Sequence, residues 1–134
     1  AGCEIRGDNY LTSLSKKIKK ASEQDWKKEY LDSIVSIKVV NSLNEAIKHI
    51  NDYSSKHTDA IITNSTKNAK LFLTEIESAI VMHNTSTQFS DGAEFGLGAE
   101  IGISTGKLHA RGPVSTQELT TYKYIVKGNG QLRQ

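Results

Sequence analysis

Three short apolar runs alternate with two amphipathic stretches through the middle of the chain. Ile34-Val-Ser-Ile-Lys-Val-Val40 is β-branched and mostly apolar, the pattern of a strand buried on both faces of a sheet. Leu43, Ala46, Ile47 and Ile50 then fall at i, i+3, i+4 and i+7, one apolar stripe on a helix. Ser42 and Glu45 open that helix as a capping box, the hydroxyl taking one unpaired N–H while the Glu reaches back to Ser42. Ala60-Ile-Ile-Thr63 reads as a second strand. Asn64 or Ser65 caps a second helix with Ala69, Phe72, Leu73 and Ile76 on its inner face, and Ala79-Ile-Val-Met82 is a third strand. Strand, helix, strand, helix, strand at these spacings predicts an α/β fold: a parallel βαβαβ sheet with helices on its faces and right-handed crossovers.

The flanks are less regular. Leu11, Leu14 and Ile18 recur at helical spacing and predict a weak helix, with Lys16, Lys17, Lys19 and Lys20 on a solvated outer face. Between His83 and Pro113 lie most of the ten glycines and the only proline, and no period dominates. A glycine-rich loop of that length inside a compact domain is usually functional. After a turn or short helix at Ser115–Leu119, Tyr122-Lys-Tyr-Ile-Val-Lys127 alternates like a strand and is expected to leave the domain.

Composition narrows the function classes. The chain has 134 residues, enough for one core, with 37% hydrophobic and 24% charged residues, and no apolar run approaching the roughly 20 residues of a membrane span. A formal charge of +2, from 17 Lys+Arg against 15 Asp+Glu, gives no electrostatic footprint for nucleic acid. No signal peptide is visible. The single cysteine, Cys3, rules out an intrachain disulfide and fits a reducing, cytoplasmic setting. The chain opens at Ala1 rather than Met, which suits a processed, a tagged or an excised piece, and the motifs below favour the last.

Candidate chemistry taken from the residues alone stays open. Phe95-Gly-Leu-Gly-Ala-Glu-Ile-Gly102 has its glycines as GxGxxxG, and follows the third strand rather than the first, so a tight close-packed loop is preferred to a dinucleotide fingerprint. His49, His57, His83 and His109 have no cysteine partners and no HExxH spacing, so no metal site is expected. Cys3 lies in a polar context with no activating base, the setting of an inert thiol. Lys107, His109 and Arg111 suit either an anion site, with the Arg fork on a carboxylate or phosphate, or an anchor for the loop itself.

Val40-NSLNE-Ala46-Ile-Lys-His-Ile50-ND-Tyr53-Ser-Ser-Lys-His57-Thr-Asp-Ala-Ile61 fills every fixed position of a known pattern. It resembles the signature of the γ-glutamyl phosphate reductases, members of the aldehyde dehydrogenase superfamily. Asn84-TSTQFSDGAEFGLGAEIGISTGKLHARGP113 is similar to that family's long loop, Glu118-Leu-Thr-Thr-Tyr-Lys-Tyr124 to its closing strand, and Asp25-Trp-Lys-Lys-Glu-Tyr-Leu-Asp32 to a further stretch. The resemblance covers essentially the whole chain, and it implies that 1–114 is the incomplete C-terminal part of a catalytic domain and 115–134 an oligomerisation arm and C-terminal tail.

It implies an NADP(H)-dependent oxidoreductase of proline biosynthesis, reducing L-glutamate 5-phosphate to the 5-semialdehyde through a cysteine thiolate. The nucleophile is expected upstream, leaving no catalytic residue in this chain and no activity in it alone. Glu29 stands where the superfamily places a glutamate that hydrogen-bonds the nicotinamide ribose. Asn84, Ser86 and Thr87 would begin a loop on the substrate side of the cleft, and Ser104, His109 and Arg111 would lie on its return. Arg111 is the candidate for the substrate's phosphate or α-carboxylate.

The 122–127 strand would be an oligomerisation arm joining a homo-oligomer, and association with glutamate 5-kinase follows by family. Family members usually carry Arg at the position of Gln88 and Gly at that of Ala93. If the Arg meets an anionic substrate group, Gln88 weakens the site by about 1–3 kcal/mol unless Arg111 compensates. His83-Asn84 and Ser90-Asp-Gly92 are similar to the reductase half of a bifunctional pyrroline-5-carboxylate synthase, Leu119-Thr-Thr-Tyr-Lys123 to the stand-alone enzyme, and a non-catalytic binding or assembly module is the alternative of another class. A sheet edge and an arm without partners predict self-association.

Overall fold

A computed structural model describes residues 2–132; Ala1 and positions 133 and 134 of the expected tail lie outside the described residues. The chain opens with a strand that its polar sequence hides, β1 (Glu4–Gly7), followed by a six-residue helix α1 (Asn9–Leu14) and a two-residue strand β2 (Lys19–Lys20). Asp8 caps α1 through its Oδ1, which accepts from Leu11 N at 3.0 Å. The expected helix through Ile18 is therefore cut short, and Lys19 and Lys20 pair with Arg6 and Gly7 instead of lining a helix. Gly7 permits this close approach: a Cβ there would sit 2.7 Å from Leu11 Cβ and 2.9 Å from Ile18 Cγ2.

Strand β3 (Ile34–Ile37) runs parallel to β1, giving a three-stranded sheet in the order β2-β1-β3. It is shorter than the apolar run because Val39 N donates to Asp8 Oδ2 at 2.8 Å, outside the ladder. Only one face of it is covered; Val35 and Ile37 are exposed. Helix α2 (Leu43–Tyr53) starts as predicted at Ser42, whose hydroxyl accepts from Glu45 N. The Glu45 carboxylate reaches one residue further back than a capping box requires, to Asn41 N at 3.0 Å.

Strand β4 (Thr58–Ile61), helix α3 (Thr66–Glu75) and strand β5 (Ile80–His83) form a parallel βαβ unit with Thr58 opposite Ile80 and Ile61 opposite His83. The expected continuous βαβαβ sheet is thus divided. Strand β3 finds its hydrogen-bond partner in β1, and β4 pairs only with β5 among the described residues. Periodicity announces a strand but not its neighbour. The core joins the helices to this second sheet: Ile47, Phe72 and Ile76 are buried together, with Leu43, Ile50, Ile61 and Val81 packed against them.

The glycine-rich loop is more ordered than its sequence suggests. It holds a 3-10 turn at Thr87–Phe89 and an antiparallel pair, β6 (Gly102–Ser104) and β7 (Gly112–Val114). Ser115 is buried beneath it, its hydroxyl 3.3 Å from Leu97 O. The expected strand at 122–127 does not form among the described residues. A strand needs a ladder partner, and this segment has none, leaving Tyr122, Tyr124, Ile125 and Val126 between 72% and 91% exposed. No helix is long and apolar enough to cross a membrane.

Candidate functional site: a hydroxyl-lined cleft

Three segments enclose an open cleft of about 700 Å³: residues 26–29, the α2–β4 connection from Tyr53 to Asp59, and the glycine-rich loop at Thr87, Ser90 and Thr105. Its chemistry is that of hydrogen-bonding recognition. Side-chain hydroxyls dominate, with Lys27 and Lys28 beside the Glu29 carboxylate. A relay of contacts ties two walls together: His57 Nδ1 lies 2.7 Å from Thr58 Oγ1, which lies 2.8 Å from Ser90 Oγ. Asp59 is held from behind by the hydroxyls of Ser54, at 2.8 Å, and Ser78. No cysteine lines the cleft; Cys3 is exposed, its thiol 3.6 Å from Glu4 O. No group of three or more His, Cys, Asp or Glu converges among the described residues.

The wall at 26–29 rests on a buried carboxylate. A 3-10 turn (Glu23–Trp26) presents Asp25, only 7% exposed. Its Oδ2 accepts from Ser22 N at 2.7 Å and Ser22 Oγ at 2.6 Å; its Oδ1 accepts from Arg6 Nη1 at 2.7 Å and the Tyr30 hydroxyl at 2.5 Å. These donors, Ser22 foremost, hold the Asp25 carboxyl well below the usual carboxylate range. The opposite wall carries Tyr53, whose hydroxyl donates to Glu23 at 2.9 Å and is pushed up in pKa by that bond first. His49 sits edge-on to Trp26 and beside Tyr53, at centroid distances of 5.5 and 4.7 Å. Burial, then the charge of Lys38, pulls its pKa down.

Of the residues to which the resemblance gives a cofactor or substrate-side role, Glu29 and Thr87 meet in this cleft. The others do not line it. Asn84, at φ 54°, closes the ends of β4 and β5: its Oδ1 accepts from Thr63 N at 2.8 Å and its Nδ2 donates to Thr63 O at 3.0 Å. Ser86 caps the 3-10 turn by accepting from Gln88 N at 3.2 Å. Ser104 is half-buried in β6, paired with Gly112, next to the cleft residue Thr105. His109 and Arg111 are exposed, and Arg111 Nη2 donates to Glu77 O while Lys107 pairs with the Glu77 carboxylate.

Residues 15–124 match the aldehyde dehydrogenase family. The chain belongs to the aldehyde dehydrogenase family. Within it, the chain is 61% identical over 133 residues to a γ-glutamyl phosphate reductase of Sphingopyxis alaskensis and 59% identical over 133 residues to one of Rhodospirillum rubrum. Each alignment covers 99% of this chain and 31% of the relative. The crystal structure of a γ-glutamyl phosphate reductase from Thermotoga maritima is similar, with a TM-score of 0.91 and 50% identity over 99% of this chain and 32% of that one. The chain therefore spans 31% of the length of the curated relatives it matches.

For an aldehyde dehydrogenase fold, the acceptor that Glu29 offers the cleft suits the ribose of a nicotinamide cofactor. Glu29 has no hydrogen-bond partner among the described residues and is exposed at the cleft, leaving both carboxylate oxygens free to accept from a diol. Sequence reasoning passed over His57, Thr58 and Ser90 as cleft residues. The signal was present for two of them: His57 and Thr58 lie inside the Tyr-Ser-Ser-x-His-Thr-Asp block that carries the resemblance. Ser90 lies in the Ser90-Asp-Gly92 stretch, which carries a resemblance but no sign of the cleft.

Proposed function

We propose that this chain is the C-terminal part of a γ-glutamyl phosphate reductase, which reduces L-glutamate 5-phosphate to L-glutamate 5-semialdehyde with NADPH in the cytoplasm, for proline synthesis. The observation that carries this is the 61% identity to a relative of that name across 99% of the chain, with Glu29 standing free in the cleft. Bound NADPH supplies the hydride. Glu29 accepts hydrogen bonds from the nicotinamide ribose and so orients the ring. Thr87, Ser90 and Thr105 face the same space from the loop side and exclude water as the substrate enters. The nucleophilic thiolate comes from the upstream part of the enzyme, so this chain alone is inactive.

The loop's other residues divide between two roles. Asn84, Ser86 and Ser104 shape the loop on the substrate side. His109 and Arg111 approach the anionic groups of L-glutamate 5-phosphate once the upstream part is in place, and Arg111 exchanges its Glu77 carbonyl for the substrate. Segment 122–127 pairs with the sheet of another subunit and builds a homo-oligomer, to which glutamate 5-kinase binds. The test joins this chain to the upstream two thirds of a curated relative. Reduction of NADP⁺ with glutamate 5-semialdehyde and phosphate is expected in the joined protein and absent from this chain alone. A well-folded joined protein without that activity would overturn the reading in favour of a non-catalytic assembly module.

A further inference from the structure

Four consecutive residues, Trp26, Lys27, Lys28 and Glu29, line one wall of the cleft. The two residues that bracket them touch: the Tyr30 hydroxyl donates to Asp25 Oδ1 at 2.5 Å. Closing a short loop by one hydrogen bond between its ends fixes what lies between, provided the ends are themselves immobile. Both are. Asp25 is buried and filled with donors from Ser22 and Arg6, and the Tyr30 hydroxyl also lies 2.7 Å from Ser36 Oγ on β3. The Arg6 guanidinium covers the Tyr30 ring at 4.9 Å from its centroid.

We propose that the Asp25–Tyr30 contact is a clip that holds Glu29 at its place in the cleft, making Asp25 and Tyr30 positioning residues for the ribose of the nicotinamide cofactor. This rests on the reading of Glu29 given above and extends it to residues that do not line the cleft. A network that served only to tie β1 to β3 would need Arg6, Asp25 and Ser36, since Ser36 Oγ already reaches Asp25 O at 3.3 Å. Tyr30 adds the closure of the loop. The backbone next to it supports the same role: Leu31 is 89% exposed yet adopts φ 52°, a left-handed conformation unfavourable for a residue with a branched side chain. Strain of that kind persists where the surroundings fix the chain, and it gathers at ligand-binding segments.

The experiment uses the joined full-length enzyme and reads two quantities: the dissociation constant of NADP⁺ by titration calorimetry without substrate, and kcat. Tyr30→Phe removes the clip's donor and keeps the ring. It is expected to weaken NADP⁺ binding roughly tenfold, the scale of a binding group displaced by a fraction of an ångström. Glu29→Gln is expected to weaken binding to a similar degree, and the double variant to be no worse than Glu29→Gln alone, because Tyr30 acts through Glu29. If Glu29→Gln weakens NADP⁺ binding but Tyr30→Phe leaves it unchanged, the clip is refuted while the reading of Glu29 stands. If Glu29→Gln is silent, the reading of Glu29 fails and the clip falls with it. Additive losses in the double variant also overturn the clip, since Tyr30 would then act on the fold alone. Should Tyr30→Phe not fold, Ser36→Ala, which removes the Tyr30 hydroxyl's second partner together with the Ser36 bond to Asp25 O, is read in the same way.

Discussion

Phe72 and Leu73 are neighbours on α3 that the apolar stripe assigns to the same inner face, and the structure separates them: Phe72 is 2% exposed and Leu73 43%. Phe72 is the most buried member of the cluster with Ile47 and Ile76, between α2 above and Ile61 and Val81 of the second sheet below. Replacing it by Ala forfeits the burial of an aromatic side chain, about 1.5–3 kcal/mol. The space left cannot collapse, because the surrounding side chains belong to two helices and a hydrogen-bonded strand pair. A cavity contribution therefore adds to the transfer loss and brings the total to about 3–5 kcal/mol. Leu73→Ala removes a half-exposed side chain and puts the best helix former in its place, for a loss under about 1 kcal/mol. Urea unfolding followed by circular dichroism at 222 nm measures both. With a slope of about 1–3 kcal/mol per molar, Phe72→Ala shifts the midpoint down by roughly 2 M and Leu73→Ala by a few tenths. Equal shifts for the two variants would refute the docking of α3 by this face.

Gly7→Ala drives a Cβ to 2.7 Å from Leu11 Cβ and forces α1 off the end of β1, so a destabilisation of about 1–3 kcal/mol is expected from overpacking, read by the same unfolding curve. Ser65→Ala removes the hydroxyl that accepts from Asn68 N at the start of α3 and is expected to cost about 1 kcal/mol, while Ser65→Asp, also a good cap, retains most of the stability. His49 is expected to titrate below the ordinary histidine value by NMR, and Lys38→Ala to bring it back up. Because the unfolded histidine binds its proton at higher pH than the folded one, its effect is a loss of stability as pH falls through about 6.5, complete once pH is below the folded value. A rise in stability over that window would contradict the sign.

The parts that the sequence made legible are those set by local rules. The caps at Ser42 and Ser65 and the apolar stripes locate α2 and α3 to within a residue or two. Strand β4 begins at Thr58, two residues before the apolar run, since Asp59 is accommodated by the hydroxyls of Ser54 and Ser78 that only folding brings near. What stayed hidden depends on contacts distant in the chain. The tetrapeptide Glu4–Gly7 becomes a strand because β2 and β3 flank it, and β6 and β7 pair within the glycine-rich loop, where the sequence shows no alternation. The most buried charge behind the cleft wall, Asp25, is marked locally by Ser22 three residues before it, and its link to β1 becomes visible when Arg6, 19 residues earlier, meets it. Glu29 is singled out by resemblance alone, because a free carboxylate leaves no trace in periodicity.

The proposed function makes this chain the completing part of an enzyme of acyl-phosphate chemistry. Its most direct test is the phosphate dependence of NADP⁺ reduction by the joined protein with glutamate 5-semialdehyde. In that direction the aldehyde is oxidised, NADP⁺ is reduced, and phosphate takes the acyl group, so the predicted rate rises with phosphate to saturation and vanishes without it. A rate indifferent to phosphate, with the acyl group passed to water as a free carboxylate, would contradict the account.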